Sequence, residues 1–214
     1  MLSYIYTLLP SIGDGLVVTL KVFALTLVFS IPLGIIVSIL RIWNIKPISR
    51  ITELYVWVMR GTPLMLQVVF IFFGLPVVGI TFDRFTAVII AFVLNYAAYF
   101  GEIFRGGIES IDKGQYEAAK VLGLSSYRTF TRIILPQMFK IVLPSIANEV
   151  ITLVKDTSLV YIVGIGELLR AGKIASNRDA SLVPLVLVGV VYLLLTAIFT
   201  IVFNKIEKKY SYYE

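Results

Sequence analysis

Long apolar runs, each closed by charged residues, divide this chain. Five are long enough to cross a bilayer: Leu16–Leu40, Ile51–Val78, Phe85–Phe104, Phe139–Val163 and Leu182–Phe203. About 20 apolar residues in a helix cover about 30 Å of hydrocarbon. The pattern therefore predicts an all-α integral membrane protein, with five transmembrane helices in a single domain over residues 1–214. The second and fourth runs carry embedded polar residues. Pro32, Pro63, Pro144 and Pro184 sit in or at the ends of runs, where neighbouring groups must satisfy the carbonyls that proline frees. Ahead of the first run, Leu2, Ile5, Leu8, Leu9 and Ile12 recur at helical spacing. That spacing predicts a short amphipathic N-terminal helix on the membrane surface.

Cations orient the spans. With the N-terminus outside, twelve Lys and Arg fall in inner segments and four in outer ones. Positive charge concentrates on the cytoplasmic side, so the C-terminus is expected there. The longest inner segment is 105–137. Gln115–Leu122 is rich in helix formers, Gly123 is a natural stop, and Ser125 or Ser126 suits a helix cap. A second short helix is expected through Thr129–Leu135, with Pro136 marking entry into the fourth span. The outer segment 164–181 is polar, with a short helix expected around Glu167–Ala175.

Composition agrees. The chain is 58% hydrophobic and 15% charged, against roughly 45–50% and 25% in soluble domains. The net charge of +6 is spread along the chain, so nucleic acid is not an expected partner. Cys and His are absent, which excludes thiol nucleophiles, Cys/His zinc sites and Ser-His-Asp catalysis. The one near-miss to a phosphate loop, Gly166–Ile174, has the wrong glycine spacing and an isoleucine where a hydroxyl must reach magnesium. No enzyme activity, metal or cofactor is expected in this chain.

Charges inside spans are costly and mark polar cavities or ion pairs. In the fourth span, Glu149, Thr152 and Asp156 stand at i, i+3 and i+7, on one helical face. In the third, Asn95, Tyr99 and Glu102 make a second stripe. Facing each other, the stripes would line a polar chamber, with the two fourth-span carboxylates suited to an ammonium or guanidinium. Arg60, or backbone N–H groups exposed near Thr62 where Gly61 and Pro63 interrupt a helix, would suit a carboxylate. Local pairing offers a structural alternative: Lys155 with Asp156, and Arg105 with Glu102. The inner segment also reads two ways, as a docking knob for another protein or as a solvated loop.

Glu117-Ala118-Ala119, three residues, Gly123, nine residues, Ile133, one residue, Leu135-Pro136 resembles the EAA motif of ABC-importer permeases at every named position. Arg60-Gly61-Thr62-Pro63-Leu64 with Gln67, Glu102-Ile103 with Arg105-Gly106-Gly107-Ile108, and Lys155-Asp156-Thr157-Ser158-Leu159 resemble the polar amino-acid uptake branch of that family. The resemblance implies a bacterial plasma-membrane permease that pairs with a second permease subunit, a homodimer being favoured. It implies two cytoplasmic ATPase subunits, which hold the ATP and magnesium, and an extracytoplasmic amino-acid-binding protein. Glu117, Ala118, Ala119, Gly123, Leu135 and Pro136 are then the ATPase-coupling residues. Glu149, Asp156, Thr152, Asn95, Glu102, Thr62 and Arg60 are the substrate-binding candidates, the acidic excess leaning towards a basic amino acid. The competing class is an ion-coupled secondary transporter or channel.

Overall fold

The computed structural model describes residues 2–42 and 45–210. Among them all regular structure is helical: α1 (Leu2–Ile42), α2 (Lys46–Gly61), α3 (Leu64–Val78), α4 (Arg84–Glu109), α5 (Lys113–Val121), α6 (Ser126–Val163), α7 (Leu168–Asp179) and α8 (Val183–Tyr210). Four of these, α1, α4, α6 and α8, are long and apolar enough to cross a membrane. The fifth expected span is α2 with α3, bent by 107° at the break between them.

α1 and α4 form the central pair, and glycine lets them approach. A Cβ on Gly34 would lie 2.7 Å from the Phe100 Cβ, and one on Gly101 would lie 2.5 Å from the Val37 Cγ1. In lipid, where apolar surface alone gives helices little reason to associate, such close backbone packing is the main source of contact energy. Gly101→Val is expected to cost about 1–3 kcal/mol through overpacking, read as a lower thermal-unfolding midpoint of the purified protein. Phe92, Tyr96 and Phe100 of α4 extend the core towards Val22 of α1 and Val142 and Leu153 of α6.

Two expectations need correction. The N-terminal amphipathic stretch is not a separate surface helix but the first turns of α1. Leu8 and Ile12 bury against Leu168, Ala175 and Val188, so the apolar face is covered by α7 and α8 and the helix has no cause to turn. At 41 residues, about 60 Å at 1.5 Å per residue, α1 extends well past the hydrocarbon. The interruption expected at Gly61 and Pro63 is present, and Gly61-Thr62-Pro63 breaks the second run sharply. The helix after Gly123 does not end at Pro136. A wide π turn over Phe130–Ile134 directly precedes this proline and relieves the clash of its ring with the carbonyl four residues back. The helix therefore runs unbroken from Ser126 into the span.

The expected helix near Glu167 is present as α7. Glu167 caps it, accepting from the Leu169 and Arg170 N–H groups at 2.6 Å each. Burial pushes this carboxyl above the usual carboxylate range, while those two N–H groups pull it back.

Candidate functional site

The break after α2 creates the site. Pro63 has no N–H, and the chain leaves α2 in extended conformation at Thr62 (φ −120°, ψ 147°). The carbonyls stranded at the helix end are met by side-chain amides. Gln67 donates to the Met59 carbonyl at 2.9 Å and to the Thr62 hydroxyl at 2.8 Å. Asn95 donates to the same Met59 carbonyl at 2.8 Å and to the Gln67 amide oxygen at 3.1 Å. A buried polar group without a partner costs about 1–3 kcal/mol, so these two amides hold the break open.

Beside it lies a cavity of about 610 Å³ lined by Arg60, Thr62, Asn95, Tyr99, Glu149, Thr152 and Asp156, among others. Six of the seven predicted substrate residues therefore converge there from α2, the break, α4 and α6. The seventh, Glu102, does not line the cavity. Its carboxylate accepts from Arg105 at 2.7 Å and from Arg41 at 3.3 Å, with Arg60 at 4.0 Å. Glu102 is an electrostatic tie between α1, α2 and α4, and Arg41 extends the tie to Glu53 at 3.3 Å.

Within the cavity the charges are separated. The Arg60 guanidinium lies 5.1 Å from the centre of the Tyr99 ring, a cation–π placement. Asp156 accepts from the Tyr96 hydroxyl at 2.7 Å, so Tyr96, not Lys155, orients it. Glu149 and Asp156 are half-buried, and Glu149 enters no ion pair among the described residues. The lining thus offers one cation and two carboxylates in a partly desolvated space. A zwitterion with an additional positive group finds a partner for each of its charges there.

Tyr96, Asn148 and Gln67 also belong to this region, and the polar stripes alone do not reveal them as site residues. Tyr96 adjoins Asn95 but reads as an apolar core aromatic, since its ring is buried between Phe92 and Phe100 while only its hydroxyl reaches the cavity.

The segment around Gly123 is a second candidate surface. Asp112 caps α5 by accepting from the Gly114 N–H at 2.6 Å. Gly123 ends it in the left-handed conformation, φ +71°, and the Leu124 N–H returns to the Ala119 carbonyl at 3.0 Å. This is the C-terminal closure that favours glycine. Ser125 caps α6 through the Arg128 N–H at 3.4 Å. Glu117 and Ala118 are exposed, but Ala119 is 1% exposed and packs inwards; its small side chain fits the knob, not an incoming surface. Val121 and Leu122, 87% and 75% exposed, present apolar groups where Ala119 does not. Leu135 and Pro136 lie apart from this knob, on a cleft of about 710 Å³ with Phe139, Lys140 and Tyr210. The Gln137 side chain reaches Gln115 at 3.5 Å and ties α5 to α6.

Comparison with known proteins places the chain. The family model described as "Binding-protein-dependent transport system inner membrane component" matches residues 30–212. The arginine transport system permease protein ArtQ of Bacillus subtilis (strain 168) is 40% identical over 203 residues, covering 94% of this chain and 93% of its own. A putative glutamine transport system permease protein, GlnP of Rickettsia conorii, is 33% identical over 214 residues, covering 98% of each. A crystal structure of an amino acid ABC transporter with histidines superposes with a TM-score of 0.89 at 32% identity, over 97% of both chains. The chain belongs to the binding-protein-dependent transport system inner membrane component family, as an amino-acid ABC transporter permease.

Proposed function

We propose that this chain is the membrane-spanning subunit of an ATP-driven importer for polar L-amino acids, with basic ones preferred. A second copy of the chain completes the pathway, a separate extracytoplasmic protein delivers the substrate, and two cytoplasmic ATPase subunits hold the ATP and magnesium that drive it. The observation that carries the substrate reading is the cavity itself, whose lining Arg60 shares with two carboxylates, Glu149 and Asp156. Arg60 suits the α-carboxylate of an amino acid. One carboxylate suits its ammonium and the other a cationic side chain, as in arginine, which the name of ArtQ also carries. Thr62 and Thr152 add hydroxyls to the same lining.

The excess of cations near Arg105–Lys140 and beyond Lys205 favours a cytoplasmic position for the Gly123 knob and for the C-terminus, with the N-terminus outside. The ATPase contacts Glu117, Ala118 and the apolar Val121-Leu122 step, and Gly123 sets the geometry of that surface. α6 then acts as the lever. It runs as one helix from beside the knob to Glu149, about 35 Å at 1.5 Å per residue. Movement of the knob therefore reaches the carboxylates of the cavity without crossing a loop.

Reconstitution of the permease with its ATPase and binding protein in vesicles tests this. Uptake is expected only with ATP in the compartment that holds the ATPase, and arginine, lysine and histidine are expected to compete better than glutamine. Uptake that follows an imposed ion gradient and ignores ATP overturns it in favour of a secondary transporter.

A further inference from the structure

At the end of α4 away from α5, four cations gather around one turn of backbone. Arg84 opens α4, Arg170 and Lys173 lie on α7, and Lys21 comes from α1. Gly164, at φ +82°, turns the chain from α6 towards α7. A Cβ placed there would lie 3.1 Å from a terminal nitrogen of Arg84 and 3.1 Å from one of Arg170. Two guanidinium groups therefore flank a single point, at most twice that distance apart. Lys173 lies 4.2 Å from the centre of the Tyr161 ring and Lys21 4.8 Å from that of Phe85, so both ammonium groups are drawn to the same region.

Three acids of this region are held by other groups, although Glu167 also acts on Arg170 electrostatically. Asp83 caps α4 through the Phe85 and Thr86 N–H groups, and Glu167 caps α7. Asp179 is taken by Arg178 at 2.6 Å and by the Tyr4 hydroxyl at 2.6 Å. Among the described residues, Lys21, Arg84, Arg170 and Lys173 enter no ion pair. Like charges this close repel by about 1 kcal/mol in water and several times more near a protein surface. A carboxylate between the guanidinium groups reverses the sign of that energy and matches their forked geometry.

Position indicates where the carboxylate comes from. Leu159 lines the polar cavity, and Gly164 lies five residues further along the same turn-rich segment. α7 is a polar helix packed against the first turns of α1, the part of α1 that extends past the hydrocarbon. α7 thus offers a polar shelf beside Arg84, which directly precedes the third apolar run.

We propose that Arg84, Arg170, Lys21 and Lys173 form a docking surface for an acidic patch on the extracytoplasmic binding protein, with one of that protein's carboxylates clasped between Arg84 and Arg170. The inference rests on the importer reading and on the N-terminus lying outside. It assigns these residues a role in delivery, not in the substrate cavity or the ATPase contact.

The test uses the complete transporter in phosphatidylcholine nanodiscs, where both faces are accessible, and titrates the cognate binding protein loaded with L-arginine against ATPase rate. The R84Q/R170Q double variant is expected to raise the half-saturating concentration about tenfold at low salt, with the maximal rate unchanged. K21Q/K173Q is expected to raise it about threefold. The wild-type value is expected to rise with ionic strength and with added poly-L-glutamate, and that of R84Q/R170Q to respond less to both. Should R84Q/R170Q fail to assemble, K21Q/K173Q decides, and an unchanged half-saturation overturns the docking surface. A shift seen only when phosphatidylglycerol is added assigns the cluster to lipid and also overturns it. A wild type whose ATPase ignores the binding protein overturns the importer reading itself, and this inference falls with it.

Discussion

Replacing Glu149 with Gln and Asp156 with Asn together is expected to weaken arginine binding to the assembled transporter by at least about a hundredfold. Each carboxylate is assigned a charge-assisted hydrogen bond to a cationic group in a cavity only partly open to water. Such a bond is worth about 1.5–3 kcal/mol, or roughly ten- to a hundredfold per residue. Both substitutions keep side-chain size, so the 610 Å³ cavity retains its shape. After Asp156→Asn the amide oxygen would still accept from the Tyr96 hydroxyl, which donates to the native carboxylate at 2.7 Å. A neutral substrate such as glutamine should lose far less, since only its ammonium needs a carboxylate. Competition uptake with arginine and glutamine measures both. Equal affinities for wild type and double variant would assign the two acids to helix packing alone.

The second large effect is expected from Glu117→Lys. Glu117 is exposed on α5, lysine forms helix about as well as glutamate, and insertion and thermal stability should not change. A reversed charge desolvated against a complementary partner costs about 2–5 kcal/mol, which is at least about thirtyfold in ATPase affinity. ATP-driven uptake is expected to fall by the same factor, and recovery of the ATPase in pull-downs with the variant permease is expected to drop. Unchanged co-purification together with unchanged uptake would show that the knob is a solvated loop. If the ATPase still co-purifies but uptake is lost, Glu117 acts in transmitting motion through α6 and not in holding the complex.

Much of the cavity was legible because it is written in local periodicity. Glu149, Thr152 and Asp156 share a face of α6 for the reason that any residues at i, i+3 and i+7 do, and all three line the cavity. The Gly123 stop and Ser125 cap were legible for a similar reason, since both are decided within a few residues of backbone. Glu102 shows where such reasoning stops. It continues the Asn95–Tyr99 stripe, yet Arg41, sixty-one positions earlier in the chain, draws its carboxylate away. Asn95 has a second task that periodicity does not show, because the Met59 carbonyl it satisfies belongs to another helix.

By itself, the sequence determined that this is a helical membrane protein, where its spans lie, which faces of α4 and α6 are polar, and which short motif marks its family. Those properties depend on neighbours within one or two turns, where hydrogen bonding and side-chain direction follow from spacing. Only the tertiary structure decided that the first turns of α1 stand against α7 and that α2 and α3 part by 107°. Only there is Ala119 turned inwards, and only there do Arg84 and Arg170 meet at Gly164. Each of these depends on groups far apart in the chain, whose approach is settled by packing and charge in three dimensions and leaves no period in the sequence.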